Sequence, residues 1–162
     1  MLVIIGCGNP NRSDDGAGVI AAQRLAAALG PEHAGRVAVH DAGTDGMGVM
    51  YKARGASALV VVDACSSGSE PGSVFEVPGE ELERPPASSF NLHDFRWNNA
   101  LFVGRKIFGE SFPEDVTVYL IEAASLDLGL TLSPAVERAV ATVVGKIRQR
   151  IQELPAAGPW QP

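Results

Sequence analysis

The sequence predicts an α/β domain of three layers, with a mainly parallel central sheet and helices on both faces. Three observations carry that expectation. Short β-branched runs alternate with longer stretches of helical periodicity, the pattern that right-handed crossovers between parallel strands produce. One run, Ala58–Asp63 (A-L-V-V-V-D), is apolar without alternation, as expected of a strand covered on both faces. Several helical stretches stop at glycine, with Gly30-Pro31, Gly55 and Gly109 standing where they end.

In chain order, Leu2–Ile5 is the first expected strand and Arg36–Asp41 the second. Ala58–Asp63 is the third, Val116–Ile121 (V-T-V-Y-L-I) another, and Ser73–Val77 a shorter edge strand. Val19, Ala22, Ala26 and Leu29 keep helical spacing, and Met47–Arg54 is a shorter helix. Trp97, Leu101, Val103, Ile107 and Phe108 predict a helix stopping at Gly109. Val136, Val140, Val143, Ile147, Ile151 and Leu154 form the cleanest stripe. Ser133 and Pro134 precede it as cap and first-turn residue. Pro78–Phe90, rich in proline and glutamate, reads as a long surface loop.

Composition narrows the function classes. A chain of 162 residues is expected to form one domain, here residues 1–154, with a disordered tail over Pro155–Pro162. A formal charge of −6 with no Lys/Arg-rich block argues against nucleic acid and anionic membranes as partners. The opening carries one apolar run of four residues and no basic leader, so a cytoplasmic protein with no membrane span is expected. Cys7 and Cys65 make neither a disulfide framework nor a zinc motif, and read as small buried hydrophobes.

In a doubly wound sheet the working crevice lies beyond the carboxyl ends of the strands. The polar residues there are Asn9, Asp14 and Asp15 after the first strand, Asp41 after the second and Asp63 after the third. Gly6-Cys7-Gly8 invites a dinucleotide site, but the third glycine of that fingerprint falls on Asn11. Two carboxylates before the helix would also repel a pyrophosphate where the helix dipole should attract it. Asp14 and Asp15 have an ordinary role open to them as helix caps, and Asp63 as a turn residue. If both members of the acidic pair face a crevice, each raises the cost of ionising the other, and a cation relieves it. His93 either caps the helix containing Trp97, lies exposed beside Asp94, or reaches back to Asp15 and Asp63. Two carboxylates and one imidazole suit nickel, zinc, manganese or iron and leave coordination positions open. His33 and His40 read as surface or core residues. No Gly-x-Ser-x-Gly elbow, Walker loop or His-Glu-x-x-His motif occurs.

G-C-G-N-P-N-R-S-D-D-G-A-G-V (Gly6–Val19) resembles the opening of the endopeptidases that mature nickel-iron hydrogenases. D-A-G-T-D-G (Asp41–Gly46), V-V-V-D-A (Val60–Ala64) and the lone His93 before a helix extend the resemblance over roughly Met1 to Ile151. It implies an α/β enzyme that removes a C-terminal peptide from the hydrogenase large-subunit precursor after nickel insertion. It further implies Asp15, Asp63 and His93 as metal ligands and catalytic residues, with the nickel carried by the substrate. The sequence departs from the family pattern at Ala42, where a glycine of D-G-G is usual, and in the residues around His93. Phe90, Phe95 and Trp97 form either a partner-facing aromatic patch or, for Trp97, part of the core. Peptidyl-tRNA hydrolases open similarly with G-x-G-N-P, but they need a histidine where this chain has Asp14-Asp15-Gly16. A non-catalytic metal- or partner-binding module on the same scaffold is the alternative from another class.

Overall fold

Five strands form one sheet in the order β2-β1-β3-β5-β4 in a computed structural model that describes residues 1–86 and 95–155. They are β1 (Leu2–Cys7), β2 (Val37–Gly43), β3 (Ala58–Cys65), β4 (Val74–Pro78) and β5 (Asp115–Glu122). β1 pairs in parallel with β2 on one side and β3 on the other, and β3 with β5. Only the edge strand β4 runs antiparallel, against β5. The chain therefore winds outward in both directions from the β1–β3 pair. That junction is the switch point where such sheets open a crevice.

The helices are α1 (Ala17–Ala28), α2 (Gly46–Ala53), the single turn α3 (Gly79–Leu82), α4 (Trp97–Phe108) and α5 (Pro134–Gln152). Strand residues alternate between two cores, so each face of the sheet buries its own set. Leu2, Ile4, Val60, Val62 and Ile121 pack on one face with α1 and α5. Val3, Ile5, Leu59, Val61 and Val118 pack on the other with α2 and α4. Burial on both sides explains the uninterrupted apolar run of β3. The α5 stripe of Val136, Val140, Val143, Ile147 and Ile151 is wholly buried, and Ser133 caps the helix by accepting from the Val136 N–H. The expected three-layer architecture is present.

One expectation needs correction. Pro78–Phe90 is not a plain surface loop: Pro78 ends β4, Gly79–Leu82 makes a helical turn, and Gly79 is buried. The reason is close packing, because a Cβ on Gly79 would collide with Val116. Residues 87–90 of that stretch, like His93 and Asp94, lie outside the described residues. At the other end, Pro155 is held, its carbonyl and that of Leu154 both accepting from Arg36. The rest of the expected tail, residues 156–162, lies outside the described residues.

α1 meets the sheet unusually closely. A Cβ on Gly18, in its first turn, would run into the carbonyl oxygens of Val62 and Cys7. The glycine lets the helix start directly against the carboxyl ends of β1 and β3. Whatever precedes α1 is thereby held over the switch point.

Candidate active site

The polypeptide leaves β1 at Cys7 and passes through Gly8, whose φ of +122° favours glycine. A Cβ here would collide with the carbonyl of Asp15 and stand 3.4 Å from Oδ1 of Asp63. Gly8 thus lies between the two carboxylate-bearing residues, with room for no side chain. The loop then turns through a 3-10 segment, Ser13–Gly16, and enters α1.

The acidic pair divides at this turn. Asp14 is fully buried. Its Oδ2 accepts from the backbone N–H groups of Ala124 (2.8 Å) and Ser125 (3.2 Å), and its Oδ1 from Ser133 (2.6 Å). Backbone bonds from Ser13 to Gly129 and from Asp14 to Ser125 add to this seam. The helix-cap role expected as ordinary for the pair is not taken: no side chain caps α1. Asp14 instead supplies the acceptor for three backbone N–H groups along a part-buried seam, two of them in the loop that follows β5. Asp15 is half-buried, accepts from the Asn9 N–H at 3.1 Å, and lines a crevice.

That crevice, about 220 Å³, is lined by Cys7, Gly8, Asp15, Asp63, Thr44 and Trp97 among others. Asp63 enters it from the end of β3. Its Oδ1 accepts from the Ala64 N–H at 2.9 Å and its Oδ2 from the indole N–H of Trp97 at 2.7 Å. Burial pushes the Asp63 carboxyl up to about 6, and the nearby Asp15 charge pushes the same way. The Trp97 and Ala64 hydrogen bonds and Arg96 act against that rise. The Cys7 thiol, buried beside Asp63, is raised well above its ordinary value by burial first and by that charge second.

Of the three residues expected to share a site, Asp15 and Asp63 come together, while His93 lies outside the described residues. Among the described residues no group of three or more His, Cys, Asp or Glu side chains is placed to hold a metal ion. Asp41 is exposed and engaged elsewhere, accepting from Gln23 and from the Gly43 N–H. Asn9 serves the loop, its backbone N–H binding Asp15 and its side chain accepting from the Asn11 N–H. Cys65 is half-buried, and its thiol donates to Glu122 rather than facing the crevice. Trp97 belongs to the site and not simply to the core. Its place in an apolar helical stripe and in an aromatic cluster is legible in the sequence, but neither says where an indole N–H points.

Fold and crevice together define a doubly wound α/β protein with paired carboxylates at its switch point. The hydrogenase maturation protease family (HycI) matches residues 19–150, and the chain belongs to that family. The hydrogenase expression/formation protein HupD of Thiocapsa roseopersicina is 26% identical over 148 residues, covering 88% of this chain. The chain matches only 64% of the length of that curated relative. Among solved structures, the hydrogenase maturating endopeptidase HybD from E. coli superposes with a TM-score of 0.76 at 23% identity, over 94% of this chain and 92% of that one. The [NiFe] hydrogenase maturation protease HybD from Thermococcus kodakarensis gives 0.69 at 26% identity, over 93% and 98%. The family resemblance expected from the sequence therefore holds at the level of family and fold. No described helix is long and apolar enough to cross a membrane.

Proposed function

We propose that this chain is a cytoplasmic endopeptidase that removes the C-terminal extension of a nickel-loaded hydrogenase large-subunit precursor. The observation that carries the reading is the meeting of Asp15 and Asp63 in one crevice at the switch point of a family member's sheet. In this reading the nickel arrives as cargo of the precursor, held by its thiolates, and Asp15 and Asp63 complete its coordination. His93 is the third ligand in this reading. Once there, the ion supplies Lewis acidity toward the scissile carbonyl or a water molecule.

The chain's own residues do the positioning. Asp15 is steadied by the Asn9 N–H, and Asp63 by Ala64 and Trp97. With its carboxyl at about 6, Asp63 is mostly ionised at pH 7, the form that can act as a ligand. The test is incubation with nickel-loaded and nickel-free precursor, read by the precursor's mass. Only the nickel-loaded form should be shortened. Binding of both without shortening of either would instead make the chain a non-catalytic partner-binding module.

A further inference from the structure

We infer that Trp97 is a positioning residue, whose indole N–H fixes the carboxylate of Asp63 in the orientation that meets the substrate's metal. The inference rests on the functional reading of Asp63 above. Its observation is the 2.7 Å bond from Trp97 Nε1 to Asp63 Oδ2, joining the first residue of α4 to the carboxyl end of β3. Because the Ala64 N–H takes Oδ1, each carboxylate oxygen has a donor on it and the rotamer is defined. A carboxylate retains further lone pairs beyond two such bonds, so ligation stays open.

The backbone that carries Trp97 is itself held by its neighbours. A Cβ on Gly46, at the start of α2, would collide with the carbonyl of Phe95, so this helix abuts the backbone just before Trp97. On the other side, Asn99 in the first turn of α4 donates through Nδ2 to the Arg84 carbonyl at 3.0 Å, and the Arg84 N–H returns a bond to Asn98. Trp97 is half-buried and lines the same crevice as Asp15 and Asp63. Its ring walls the site while its N–H orients the ligand, two roles that mutation can separate.

Trp97→Phe keeps an aromatic body and removes the donor, whereas Trp97→Gln keeps a donor and removes the ring. If the N–H positions Asp63, Trp97→Phe loses kcat/KM by roughly tenfold or more on nickel-loaded precursor, as expected for loss of a charge-assisted bond. Trp97→Gln, although it melts lower, processes faster than Trp97→Phe. In Trp160→Phe protein, the Trp97 indole 1H–15N cross-peak lies at a downfield, hydrogen-bonded position and moves upfield on Asp63→Ala. Wild-type processing by Trp97→Phe, activity that follows melting temperature across both variants, or a cross-peak unmoved by Asp63→Ala each overturns the inference. Asp63→Asn on the same precursor separates this from the underlying reading. If Asp63→Asn processes normally, the reading of Asp63 fails. If it is inactive while Trp97→Phe is unimpaired, only the role of Trp97 fails.

Discussion

Oδ1 of Asp14 lies 2.6 Å from the backbone nitrogen of Ser133, so one buried carboxylate ties the loop after β1 to the cap of the last helix. The same side chain takes two more backbone donors, Ala124 and Ser125. Asp14→Ala leaves three N–H groups without their acceptor. At about 1–3 kcal/mol for each buried unsatisfied group, partly relieved by water, a loss of roughly 3–5 kcal/mol is expected. In a chain of this size that lowers the melting temperature by roughly 10 °C. Thermal or denaturant unfolding of the variant checks it, and a shift under about 2 °C would refute the seam.

The adjacent residue should behave in the opposite way. Asp15→Asn keeps an oxygen for the Asn9 N–H and removes only the charge facing the crevice. Stability should change by less than about 1 kcal/mol, as for substitutions that leave buried contacts intact. Processing of nickel-loaded precursor should fall below detection. Paired melting and processing assays on Asp14→Ala and Asp15→Asn make the division measurable, and the two columns should cross.

The sequence shows β1 and β3 plainly because their residues are apolar on both faces, and a run such as Leu59–Val62 has no other comfortable place. It also shows which polar residues stand at strand ends, so Asp15 and Asp63 are reachable from spacing and family resemblance together. The partner of Asp14 is a different matter. Ala124, Ser125 and Ser133 offer backbone N–H groups, which every residue but proline carries, so no side-chain type marks them. Trp97 is hidden for a similar reason: as the first residue of an amphipathic helix it reads as core. Its N–H finds Asp63 only through the packing of α4 across the end of β3.

Gly8 links backbone to site most directly. Alanine there meets both a φ of +122° and the carbonyl of Asp15. Relief requires moving the loop that carries Asp15, so Gly8→Ala should cost roughly 1–3 kcal/mol for the strained backbone and also abolish processing. Gly55 also has a positive φ, of +78°, but an added Cβ would meet nothing within 4 Å. Gly55→Ala therefore pays only the backbone term and should retain processing. Equal loss of activity in the two variants would show that strain, and not displacement of Asp15, is responsible.

The carboxyl ends of β3 and β5 carry two acids whose titrations push stability in opposite directions. Burial raises the Asp63 carboxyl from 3.8 to about 6, so between these values the folded chain holds more protons than the unfolded one. Stability from this group therefore falls as pH rises through that window, by up to about 1.4 kcal/mol per unit and of order 3 kcal/mol in all. Glu122, 2% exposed, accepts from the Cys65 thiol, the Ser67 hydroxyl and the N–H groups of Ser67 and Gly68. The Ser67 hydroxyl foremost, with the other donors, holds its carboxyl below the usual 4.5. Its contribution is complete above about 4.5 and is lost as pH falls through its lowered value in the folded chain. Melting curves between pH 3 and 7, taken as differences from wild type, separate the two. The advantage of wild type over Glu122→Gln should shrink toward pH 3. Its standing relative to Asp63→Asn should instead worsen from about pH 4 to 6 and then level off. A flat difference for Asp63→Asn would mean that its carboxylate is well solvated, and would remove the physical reason for it to welcome a cation.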